Sequence, residues 1–158
     1  EGTNTIQALD LLGRKVLGDM GAKLMKFGKV IQELIMRQSD YEGMKEFTDP
    51  LGKLAVQVQT LTAEIGQKAM KNPDEAGAAA VPYLRIIGHL VFSFSWCFSA
   101  SVAMRKLETA NDADKAFYQS KLTTARFYFA KLYPETEMLI NQVKAGAAPL
   151  MELDAANF

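Results

Sequence analysis

The sequence is short of the residues that most often carry chemistry or covalent order, with one cysteine, one histidine and one tryptophan in 158 residues. A lone Cys97 cannot close an internal disulfide, and its apolar neighbours mark it as a buried, inert thiol suited to a reducing, cytoplasmic setting. A lone His89 cannot supply the paired Glu-x-x-His ligands of a di-iron bundle, and one cysteine eight residues away makes a poor zinc site. No metal is expected, and His89 reads as a core histidine satisfied by a backbone or hydroxyl partner. A Ser-His-Asp triad would require an acid from another helix and a nucleophile elbow, and no such elbow is present. Charge of one sign is missing too, since 18 basic residues balance 18 acidic ones. Without a net field or a basic block, nucleic acid is not an expected partner. No period-two run lies between hairpin turns, which excludes recognisable strands and any phosphate loop that follows one. The opening residues do not read as a secretory leader.

What is present is helical punctuation. Ile6, Leu9, Leu12 and Val16 recur every three or four positions and predict a short first helix with one apolar stripe. Gly18 and Gly21 then mark a change of direction. Leu24, Phe27, Ile31, Leu34 and Ile35 resume the stripe, and the capping-box spacing of Ser39 and Glu42 predicts a turn and a restart. Met44, Phe47, Leu51, Leu54, Val58, Leu61 and Ile65 form a second long stripe. Pro50 interrupts it, either as a fresh start capped by Asp49 or, preferably, as a kink.

Asn72-Pro73-Asp74-Glu75 combines a capping side chain, an early proline and first-turn carboxylates, so a third helix starts there. Ile86 to Met104 is a run of 19 residues without Lys, Arg, Asp or Glu, the length of a membrane span. Four serines, Gly88 and His89 lie inside the run and Arg85 abuts it. A central bundle helix, apolar almost all round, is therefore preferred over a membrane span. Asn111 and Asp114 repeat the capping logic before a fourth helix striped by Tyr118, Leu122, Ala125, Phe129, Leu132, Leu139 and Val143. Pro134 should kink it, Gly146 should close it, and Pro149 should prevent a restart. The tail carries Leu150, Met151, Leu153 and Phe158 and either docks on a neighbour or frays.

The fold class that follows is all-α: an up-down-up-down four-helix bundle preceded by a short helical arm, because short connections force neighbouring helices antiparallel. The aromatics Phe92, Phe94, Trp96, Phe98, Phe127, Tyr128 and Phe129 read as facing rows of core. The eight methionines read as gap-filling core. By its own residues the bundle offers no active site.

Two stretches carry a resemblance. Glu1, Gly2, Thr3, Ile6, Gln7 and Arg14 resemble the catalytic-glutamate stretch of the acyl-CoA dehydrogenases, where Glu-Gly-Thr, two variable residues and Ile-Gln lead into a helix. Phe117-Tyr118, Lys121-Leu122, Thr124-Ala125-Arg126-Phe127-Tyr128, Leu132 and Pro134-Glu135 resemble the appended C-terminal helical domain of the longer members, those similar to 3-methylmercaptopropionyl-CoA dehydrogenases. The resemblance implies the C-terminal part of a cytoplasmic, FAD-dependent enzyme that desaturates an acyl-CoA. Glu1 would be the catalytic base, Thr3 and Gln7 would lie near FAD, and the flavin fold and acyl cavity would lie upstream. Residues 1–18 would end the catalytic domain, 19–146 would form the bundle and 147–158 the tail. The fragment alone is expected to be inactive, and the whole enzyme is expected to be a homo-oligomer. The alternative is a self-standing helical interaction or membrane-surface module.

Overall fold

The computed structural model describes residues 2–157, which are helical and contain no strand. The arm consists of α1 (Asn4–Leu9), a π-helical stretch (Asp10–Val16) and a 3-10 turn (Leu17–Asp19). Then follow α2 (Ala22–Arg37), α3 (Lys45–Ala69), α4 (Asp74–Leu107) and α5 (Asp112–Phe127). A second π-helical stretch (Tyr128–Leu132), α6 (Glu135–Ala145), a one-turn α7 (Ala148–Met151) and a 3-10 turn (Ala155–Asn157) follow. These elements fall into two compact units.

The first unit holds the residues up to Lys26, Gln57–Gly88 and those from Thr136 on. Within it α3 and α4 run antiparallel: Thr62 meets Tyr83 through their hydroxyls at 2.7 Å, while Lys68 and Glu75 line one small cavity. α6 is antiparallel to α4, with Val143 and Ala79 sharing that cavity and Gly146 against the Glu75 carboxylate. The core includes Ala8, Leu12, Val58, Leu61, Ile65, Tyr83, Ile86 and Leu139.

The second unit holds Phe27–Val56 and His89–Glu135. Its side-chain pairs fix the helix directions. Phe27–Phe94, Gln38–Arg105 and Tyr41–Glu108 are each separated by 67 residues, so α2 and α4 are parallel. Glu46–Arg126 and Pro50–Tyr133, separated by 80 and 83 residues, make α3 and α5 parallel. Ser93–Tyr128 and the neighbouring Phe98, Val102, Phe117 and Lys121 make α4 and α5 antiparallel. The expected up-down-up-down order is thus present in this unit.

Much of the helical punctuation is as the sequence predicts. The α3 stripe from Met44 to Ile65 is buried at all seven positions. Met20 and Gly21 take left-handed φ values of 54° and 76° at the turn before α2. The Asn72 and Asn111 side chains accept the backbone N–H groups of Asp74 and Asp114, at 3.1 and 3.0 Å. Gly146 ends α6 at φ 72°. α3 runs through Pro50 without a fresh start at Asp49, and the fourth stripe is broken around Pro134.

Other expectations are corrected. In the arm the buried positions are Ala8, Leu12 and Val16, whereas Ile6 and Leu9 are exposed. The i→i+5 bonding of Asp10–Val16 takes in an extra residue per turn, so the buried stripe advances by four, not by three and four alternately. A π-turn likewise leaves Leu132 outside and puts Tyr128 in the core. Ser39 does not form a capping box with Glu42: its hydroxyl donates to the Met36 carbonyl at 2.9 Å and closes α2 instead. Pro149 does not stop the helix but sits in the first turn of α7, where its missing N–H costs nothing. α4 is apolar almost all round, as expected, but it is not covered on every side, since Val91, Phe92, Phe98 and Val102 are exposed. By length and composition α4 could cross a membrane. Phe127 also faces outward, so the aromatics are not all core. Of the methionines only Met44 is buried, whereas Met20, Met25, Met36, Met70, Met138 and Met151 are exposed.

Candidate functional site

The arm begins with Gly2 at φ 72°, a backbone conformation that glycine adopts without strain. Thr3 is the N-cap of α1. Its carbonyl accepts the Gln7 N–H at 2.9 Å, and its side chain makes no capping bond. Thr3 and Gln7 are four apart and therefore share one side of the arm, and both are exposed. Glu1 lies outside the described residues. Further along, Asp10 pairs with Arg14 and Lys15. The hydrogen bond from Arg14 holds the Asp10 carboxyl below its usual range.

A hydroxyl and a carboxamide offer donors and acceptors that suit the polar edge of a flavin. Neither side chain lines the cavities bordered by Met20, by Glu75 or by Phe117 in the two units.

In the second unit the single histidine does have a hydroxyl partner. The Tyr128 hydroxyl lies 3.1 Å from His89 Nδ1 and donates to the His89 carbonyl at 3.0 Å. Nε2 donates to the Glu135 carboxylate at 3.0 Å, a partner the sequence reading did not find because it lies 46 residues away beyond the π-turn. Ser93 is fully buried and its hydroxyl meets Tyr128 at 3.3 Å rather than the imidazole. An acid therefore does reach His89, but the serine is sealed from substrate and the cluster ties α4 to the segment after α5. Burial drives the Cys97 thiol up to about 12, so it is inert as expected. Among the described residues no group of three or more His, Cys, Asp or Glu side chains could hold a metal.

One concavity was not anticipated. A groove of about 660 Å³ in the first unit lies between the end of the arm, the start of α2 and the second half of α3. Leu17, Leu24 and Ala63 line it together with Met20, Met25 and Met70, and no Lys, Arg, Asp or Glu does.

Comparison with known proteins finds relatives among the acyl-CoA dehydrogenases. The chain is 27% identical over 165 residues to the broad-specificity linear acyl-CoA dehydrogenase FadE5 of Mycobacterium tuberculosis, an alignment covering 100% of this chain and 27% of that protein. It is 31% identical over 140 residues to the 3-methylmercaptopropionyl-CoA dehydrogenase of Ruegeria pomeroyi, covering 85% of this chain and 23% of the relative. The chain thus spans about a quarter of the length of these curated relatives. Residues 3–154 match the family described as acetyl-CoA dehydrogenase C-terminal like, and the chain belongs to that family.

Proposed function

We propose that this chain is the C-terminal part of an FAD-dependent acyl-CoA dehydrogenase, inactive alone. Residues 1–18 end the catalytic domain, residues 19–146 form an appended structural bundle and 147–158 are its tail. The observation that carries this reading is the family match over residues 3–154, preceded by the Glu1-Gly2 of the Glu-Gly-Thr stretch. FAD, when bound to the whole enzyme, supplies the acceptor for the hydride that leaves the β-carbon. Glu1 removes the α-proton of the acyl-CoA, and its backbone N–H helps polarise the thioester carbonyl. A carboxylate enclosed there loses hydration, which raises its pKa and makes it a usable base near neutral pH. Thr3 and Gln7, both exposed on one side of the arm, would lie near the flavin. The whole enzyme is a cytoplasmic homo-oligomer and binds no nucleic acid.

The test is Glu1→Gln in the full-length protein. The variant should remain yellow while anaerobic bleaching by an acyl-CoA slows by roughly 10²- to 10⁴-fold, the usual weight of a positioned base. A variant that bleaches at the unaltered rate contradicts the role of Glu1.

One observation favours a second reading. Val91, Phe92, Phe98 and Val102 form an exposed apolar face on α4, as a membrane-surface or interaction module without enzymatic activity would require. Flotation with liposomes separates the two, because a structural bundle stays with the bulk protein.

A further inference from the structure

The groove in the first unit has an unusual rim. Met20 is 91% exposed, Met70 82% and Met25 54%, although long apolar side chains of this kind are normally drawn inward. They border one concavity of about 660 Å³ with no charged residue in its lining. Apolar side chains are exposed outside the groove as well. The arm buries Ala8, Leu12 and Val16 and leaves Ile6 (66%) and Leu9 (47%) exposed, and its continuation, Leu17, lines the groove. The helical stretch from Asn4 to Val16 is roughly 20 Å long at 1.5 Å per residue. Apolar side chains are thus exposed near the start of the arm and again at the groove, with Gly13, Arg14 and Lys15 exposed between them.

We infer that this surface is the seat of an apolar helical segment from the part of the polypeptide that precedes residue 1. The inference rests on the reading of the chain as part of a longer dehydrogenase and names the face by which the bundle joins the rest. The relatives carry about three quarters of their length outside the matched region, enough to supply such a segment. A segment joined covalently at residue 1 meets this surface at high effective concentration. The charge-free lining disfavours the phosphates of a coenzyme A moiety, and methionines adapt their shape to an incoming helix.

Methionine oxidation tests the assignment in the full-length protein. With dilute hydrogen peroxide and peptide mass spectrometry, Met20, Met25 and Met70 should oxidise at least about tenfold more slowly than Met36, Met138 and Met151, the scale of protection a docked segment gives. The same protection should persist at dilutions where subunits separate and in the absence of any acyl-CoA. Met70→Glu, at an exposed position, should release protection at Met20 and Met25 while the control methionines stay unaltered. Rates that follow exposure, with Met20 and Met70 fastest, overturn the inference. Protection lost on dilution assigns the face to a second copy, and protection that needs acyl-CoA assigns it to a ligand; each also overturns it. A native gene product with an intact mass near 17.4 kDa removes the reading beneath the inference, and the inference with it.

Discussion

Tyr128 shows how one side chain can hold several parts of a helical unit together. Its hydroxyl contacts the His89 imidazole, the His89 carbonyl and Ser93. Its ring packs edge-on against Phe92 and Phe129. Tyr128→Phe keeps the ring and strands the polar partners, so it should lower unfolding stability by roughly 1–2 kcal/mol, read from the urea midpoint at constant slope. Cys97 offers a test with a defined pH sign. Burial raises its pKa to about 12, whereas an unfolded thiol ionises near 8.5. The neutral thiol therefore contributes stability that is intact below the unfolded value and is lost as pH rises towards 12. Native protein should react with a thiol reagent at pH 8 only as fast as it opens, and Cys97→Ala should soften the alkaline loss of stability. Fast labelling of folded protein contradicts the buried position. The sequence did indicate a buried Cys97, from its apolar neighbours, and a backbone or hydroxyl partner for the lone His89, but it did not name Tyr128 as that partner. It could not indicate Glu135, since only the fold brings that carboxylate to Nε2.

At the scale of elements, the caps set where helices begin and end. Asn111→Ala removes the acceptor for the Asp114 N–H and should cost about 1 kcal/mol. Gly146→Ala combines a left-handed φ of 72° with a Cβ 2.9 Å from Glu75 Oε2, and should cost roughly 1–2 kcal/mol unless Glu75 swings away. Glu75→Ala in the Gly146→Ala background should recover part of that loss, and no recovery contradicts the clash. Caps and the α3 stripe were legible because they depend on residues a few positions apart. The π-helical stretches were not, because apolar spacing is read against 3.6 residues per turn and both stretches depart from that period. The faces of α4 were hidden for a different reason. A run in which nearly every residue is apolar has no polar face to show which side is exposed. The methionine-rimmed groove was equally illegible, since Met20 and Met70 lie 50 residues apart in the chain and only the fold brings them to one groove.

At the scale of the whole molecule, the chain belongs to the family described as acetyl-CoA dehydrogenase C-terminal like, and its described residues are built from helices. If the bundle is structural, deleting residues 19–158 from the full-length enzyme should lower its melting temperature or change its subunit count by light scattering. An enzyme unaltered in both contradicts that role. The most direct test of the central claim is the intact mass and visible absorption spectrum of the protein purified from its native gene. The account predicts a chain several times heavier than 17.4 kDa, yellow with bound flavin and bleached anaerobically by an acyl-CoA. A colourless chain near 17.4 kDa contradicts it and leaves the interaction module as the better reading.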